Sequence, residues 1–175
     1  ADLLDRAALG LSRSASHPEV EAALRRTLAK SFFNLGMAEK AAEQAQRALD
    51  LRAHLSSSEL GDTAYHLGHS LLLLDRDQEA RAIVEAHLPQ TTGLPPELGP
   101  ATYLALRLLD AKLLDRAGHP AESLVRMRRI VKDSQGWLGE DASATLHFQL
   151  TLIDLLLKAG QLTDAELVAR ELLSK

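Results

Sequence analysis

Four residues punctuate this chain at nearly even distances: Gly36, Asp75, Gly118 and Gly160, separated by 39, 43 and 42 residues. Each follows a leucine-rich stretch, and each is a residue type that can adopt the left-handed conformation with which helices end. The segments around them align as "TLAKSFFNLGMAEKAAEQAQRAL" (27–49), "HLGHSLLLLDRDQEARAIVEAHL" (66–88), "LDAKLLDRAGHPAESLVRMRRIV" (109–131) and "TLIDLLLKAGQLTDAELVARELL" (151–173). A helix, a tight turn and a helix, recurring at this period, restrict the chain to a stack of helix pairs in which each repeat packs mainly on its neighbours.

The register inside the repeats recurs as well. Five residues past each turn stand Ala41, Ala80, Ser123 and Ala165, all small. Nine past it come Ala45, Val84, Met127 and Ala169, and four before it Phe32, Leu71, Leu114 and Leu156. A large residue on the first helix therefore faces a small one on the second, which lets two antiparallel helices approach closely. A leucine at Ala41 would force its pair apart.

Composition agrees with this packing. Apolar residues make up 46% of the 175 residues, aromatics only 3%, and the alanine- and leucine-rich remainder suits straight helices. A net charge of −4, with no dense basic cluster, argues against nucleic acid as a partner. The absence of cysteine excludes disulfides, cysteine-type zinc sites and thiol catalysis, and fits the cytoplasm, the expected compartment, or the periplasm. The longest apolar run, "SLLLLD" (70–75), is too short to cross a bilayer, so no membrane insertion is expected. A chain that starts at Ala1 reads as an excised piece.

The helix-turn-helix repeats, with Leu67-Gly68 and the small Ala29 and Ala111 at the matching place, resemble the tetratricopeptide repeat (TPR) over about 150 residues. The period is longer than that family's usual one of about 34 residues. It looks like the variant found in kinesin light chains and in the TPR regions of bacterial serine/threonine kinases and regulators. Tyr65-His66 and Leu150-Thr151 stand where that variant commonly carries paired asparagines. The resemblance implies an all-α, right-handed superhelical TPR solenoid of antiparallel helix pairs.

As a single array the chain divides into a helix of a preceding repeat (1–15), repeats at 20–55 and 59–88, a proline-rich linker (89–100), and repeats at 101–133 and 141–175. The linker holds four of the six prolines and breaks helix. Ser16, Ser58 and Asp141 are expected helix caps, and His17-Pro18 and His119-Pro120 mark helix starts. At the far end Leu167, Val168, Leu172 and Leu173 lack a polar capping helix, so a homodimer through the last helix is expected.

Chemistry is sparse. His66 and His69 have a spacing open to two metal ligands but no third ligand nearby, and read as a helix-surface pair. Glu140-Asp141 reads as a cap rather than a catalytic pair, and neither a nucleophile elbow nor a phosphate loop is present. No enzyme activity, cofactor or metal is expected.

What remains is the inner stripe of the first helices, which in the resembled family lines a concave groove. It carries Arg26, Lys30 and Asn34 in the first repeat and Tyr65 and His69 in the second. Lys112 and Arg116 follow in the third, Asp154 and Lys158 in the fourth. Five cations against one anion favour a peptide partner with acidic groups or a terminal carboxylate. The expected function is a non-catalytic protein- or peptide-binding scaffold or sensor module of a larger bacterial signalling or regulatory protein. A free-standing TPR chaperone for secreted proteins and a dimerisation module are the alternatives.

Overall fold

The computed structural model describes residues 2–11, 17–88 and 93–173. Among them the secondary structure is nine α-helices and one short 3-10 turn, with no strand. The chain divides into two compact units, Ala1–Leu98 and Gly99–Lys175. The first contains α1 (Asp2–Leu11), α2 (Pro18–Asn34), α3 (Ala38–Asp50), the 3-10 turn Arg52–His54, α4 (Ser57–Leu73) and α5 (Asp77–His87). The second contains α6 (Pro100–Arg116), α7 (Pro120–Leu138), α8 (Ser143–Lys158) and α9 (Leu162–Leu173). No helix among the described residues is long and apolar enough to cross a membrane.

The four turn residues adopt positive φ, at 71° for Gly36, 57° for Asp75, 83° for Gly118 and 72° for Gly160. The same hydrogen bonds close every turn. The Met37 N–H donates to the Phe32 carbonyl, and Arg76 to Leu71, His119 to Leu114 and Gln161 to Leu156 do likewise, each at 2.9 Å. Within each turn the left-handed residue donates to the third residue before it, which satisfies a second carbonyl at the helix end. The chain thus reverses over about three residues, and α2 with α3, α4 with α5, α6 with α7 and α8 with α9 pack as antiparallel pairs.

Small residues sit at the closest approaches. Ala41, Ala80, Ser123 and Ala165 are all buried, as are Phe32, Leu71, Leu114 and Leu156 across from them. Phe32, Leu28 and Ala41 form one apolar cluster, to which α1 contributes Leu4, Ala8 and Leu11. Asp5 of α1 is tied to Lys40 of α3 at 2.7 Å. In the third pair the small residue is a serine, whose hydroxyl donates to the Ala111 carbonyl at 2.8 Å. Its polarity costs little, because the buried group has a partner.

Helix starts depart from expectation at two places. The cap of α4 is Ser56, not Ser58: the Ser56 hydroxyl accepts from the Glu59 N–H, and the Glu59 carboxylate accepts from the Ser56 N–H at 2.9 Å. Of three consecutive serines, only Ser56 has the extended backbone a cap needs and a glutamate three residues on. The second helix pair of the second unit begins after Ala142 rather than Asp141, with no side-chain cap. There Thr145 instead donates its hydroxyl to the Gly139 carbonyl at 2.8 Å. His17 and His119 stand at the N-termini of α2 and α7, each followed by proline in the first turn. The expected cap at Ser16, like the first four residues of the expected linker, lies outside the described residues.

The last helix is partly covered. Val168 packs against the core of the second unit and Leu172 is half-buried, contrary to their expected exposure, whereas Leu167 and Leu173 are exposed. On α9 the residues Ala165, Val168, Ala169 and Leu172 form one stripe toward α8, and Leu167 lies on the opposite side.

Candidate functional site

Helical spacing places Arg26, Lys30 and Phe33 on one face of α2, at i, i+4 and i+7. Glu59, Asp62, His66 and His69 line one face of α4 by the same geometry. The two faces meet. The Arg26 guanidinium donates through Nη1 to Glu59 Oε1 at 2.5 Å, and its Nη2 lies 3.8 Å from Asp62 Oδ2. The Phe33 ring lies 5.3 Å from that of His66 and 5.0 Å from that of His69. Tyr65 closes the group, its hydroxyl 3.1 Å from His69 Nδ1 and its ring 5.3 Å from His66.

His66 is therefore not on the helix surface, as its spacing from His69 suggested; only 8% of it is exposed. The first helix of the second repeat is flanked by α2 as well as by its own partner α5, and Phe33 covers the position that a lone pair of helices would leave open. Burial, the largest influence, pushes the His66 imidazole below its ordinary value. Asp62, with Oδ1 3.7 Å from Nε2, opposes this, while Lys30 and Arg26 add to it. Burial, assisted by Asp62, pushes the Tyr65 phenol up to about 12. Glu59 is held below the usual carboxylate range, first by the Ser56 hydrogen bonds and then by Arg26.

Arg26, expected as an open cation of the groove, is thus engaged by two carboxylates. The positive bias read along the first helices loses its first member, because Glu59 and Asp62 come from the neighbouring helix. Lys30 and Asn34 remain exposed on α2, and Lys30 has no acidic partner among the described residues. The α2–α4 face therefore joins half-buried aromatic and imidazole rings to a lysine at the surface. Arg25, one residue before Arg26, points the other way: it is buried, bonded to Glu21 at 2.7 Å and to Gln44 of α3 at 2.9 Å.

In the second unit Lys112 of α6 is half-buried and lies near Asp154 and Lys158 of α8. Burial pushes its ammonium below the ordinary value; Lys158 acts in the same direction and Asp154 against it. Asp154 and Lys158 form an exposed ion pair at 2.7 Å, and Arg116 is exposed at the end of α6. His147, on α8, is pushed down by burial and by Lys112. These residues mix both signs. Among the described residues no cluster of three histidines or carboxylates could hold a metal ion.

Phe33, Glu59 and Asp62 escaped sequence reasoning, which placed His66 on the helix surface, although a signal existed. Continuing the Arg26–Lys30 stripe by three residues reaches Phe33, and extending the His66–His69 stripe backwards reaches Asp62 and Glu59.

No family model and no curated protein matches the chain. Solved structures do. The nearly identical TPR-like repeats ascribed to a kinesin light chain of Podosopora anserina, in a form with one residue substituted, superpose with a TM-score of 0.69 at 19% identity. A second structure of those repeats gives 0.65 at 20% identity. In both cases the match covers 99% of this chain and 83% of the other. Together with the four identical turns and the buried small residues, this likeness makes the chain an all-helical protein of the TPR-like repeat fold.

Proposed function

We propose that the chain is a non-catalytic scaffold that binds a protein segment on the exposed face of α2 and α4, as an interaction or sensor module in a signalling or regulatory assembly. The observation that carries this reading is the face built by α2 and α4, where the rings of Phe33 and Tyr65 both meet that of His69 and Lys30, one helical turn before Phe33, is exposed. Half-buried rings offer apolar contact at low entropic cost, and an adjacent ammonium selects an acidic group or a terminal carboxylate. Arg26 acts here as a strut between helices, and Asn34, exposed on α2, supplies a further polar contact. The carbonyls and amides of the helices are already paired, so recognition falls to these side chains.

The test is to pan a peptide library against the protein at low and moderate salt, then repeat it with Lys30→Glu and His69→Ala combined. Arg26 is left in place to preserve the helix contact. Enrichment of acidic peptides that vanishes in the double variant supports the reading. Identical peptides enriched by both proteins would sink it.

A further inference from the structure

In each unit two second helices pack on the first helix between them, α3 and α5 on α4, and α7 and α9 on α8. The turns give both sets a common register. Ten residues past its turn, Arg128 of α7 reaches across to α9 and donates to Gln161 at 3.2 Å and to Asp164 at 2.5 Å, residues one and four past the next turn. On α3 and α5 the same three positions hold Gln46, Arg76 and Glu79. Each bonds along its own helix instead. The Gln46 amide donates to Asp50 at 3.0 Å, and the Arg76 guanidinium donates twice to Glu79, at 2.7 and 2.6 Å. The groups that span α7 and α9 therefore leave a groove of about 550 Å³ open between α3 and α5. Its floor is apolar: Leu67 and Leu71 of α4, Leu74 just past the end of that helix, and Ile83 of α5. Leu74 and Ile83 are only half-buried. Charge lies on the walls, where Glu43 is paired with Arg47 at 2.8 Å and Glu79 with Arg76. Glu39, on the α3 wall, has no cationic partner among the described residues.

We infer that this groove is a second docking site, separate from the α2–α4 face, for a short extended segment of another protein that carries a large aliphatic side chain beside a lysine or arginine. The aliphatic group covers Leu74 and Ile83, and the cation meets the carboxylate of Glu39. Size fits such a segment. The lining of α3 runs from Glu39 to Arg47, about 12 Å of helix at a rise of about 1.5 Å per residue. Extended chain covers that length in about four residues. A helix of equal length, about 10–12 Å across, is larger than the groove. Both walls and the floor belong to the first unit, and the sign of charge selected is opposite to that favoured by Lys30.

The probe is a phage-displayed library of random linear heptapeptides, panned against the intact chain and against the double variant Gln46→Arg with Arg76→Gln. That variant recreates between α3 and α5 the arginine, glutamine and carboxylate that bridge α7 and α9, so it closes the groove at unchanged net charge. The parent should enrich peptides in which leucine or isoleucine neighbours lysine or arginine, and the variant should not. A synthetic copy of one such peptide, followed by fluorescence anisotropy, should bind the double variant at least tenfold more weakly than the parent and Glu39→Gln several-fold more weakly. Glu39, Gln46 and Arg76 are exposed, so circular dichroism of these variants should match the parent. Lys30→Glu with His69→Ala should bind the peptide as the parent does. Failure to enrich basic–aliphatic peptides overturns the proposal, as does a peptide that binds the double variant or Glu39→Gln undiminished. Loss of binding in the Lys30→Glu, His69→Ala variant overturns it too, by placing the peptide on the α2–α4 face. Because that face is expected to take acidic peptides, either site can fail while the other stands.

Discussion

Arg26 and Glu59 join two successive first helices at 2.5 Å, and Glu59 at the same time caps the start of α4 through Ser56. One carboxylate therefore fixes both where α4 begins and where α2 lies against it. The Arg26 side chain is largely covered and that of Glu59 partly exposed, so the pair alone contributes about 0.5–1 kcal/mol. Glu59→Ala loses the capping box as well, and about 1–2 kcal/mol of stability is expected to go with it. Ser56→Ala should cost about 1 kcal/mol and leave the contact with Arg26. Urea unfolding of the two variants checks the order: equal losses would mean that Glu59 acts through the cap alone.

The close approach of α2 and α3 rests on Ala41, fully buried against Leu28 and Phe32. Ala41→Leu adds three carbons where no space exists, and should destabilise by about 1–3 kcal/mol. Thermal unfolding is the measurement. A melting temperature equal to the parent's would show that the pair can spread freely, against the packing described above.

Three of the four turns use glycine at positive φ, and Gly118 at 83° has open space around its missing side chain. Gly118→Ala therefore meets no clash, only backbone strain, and should lose about 1–2 kcal/mol. The fourth turn shows that this strain is tolerable, since Asp75 adopts 57° with a side chain present. Gly118→Asn should accordingly lose less than Gly118→Ala. The reverse order in chemical denaturation would mean that the turn is held by something other than its backbone conformation.

These turns were legible in the sequence because a left-handed helix end restricts one position to very few residue types, and the small residue five places on is fixed by interhelix distance. Both are properties of a single repeat. The candidate site was less legible for the opposite reason: His66 is buried, and Arg26 neutralised, by residues about 33 positions away that belong to a neighbouring repeat. The matching positions do not announce this, since the residue nine before the turn is exposed Thr27 in the first repeat and buried His66 in the second. Caps were misplaced by one or two residues at Ser56 and Ala142, where several polar residues compete and the backbone conformation of one decides.

The buried imidazole predicts how stability follows pH. His66 has an ordinary value of 6.5 when unfolded and a lower one when folded, because burial between Phe33, Tyr65 and Asp62 disfavours its charge and Arg26 and Lys30 add repulsion from α2. Between those two values the unfolded chain binds a proton that the folded chain does not. Stability therefore rises with pH across the window, is complete above about 6.5, and is lost progressively as pH falls toward the folded value. His87, lowered by burial and Arg52, and His147, lowered by burial and Lys112, act with the same sign. Glu59 titrates below the usual carboxylate range and is silent here. Urea unfolding at about pH 7.5 and about pH 5.5 should show the loss, and His66→Gln, which cannot gain a proton, should reduce it without abolishing it. If the variant kept the full pH dependence of the parent, protonation of His66 would have no part in the stability of the α2–α4 contact.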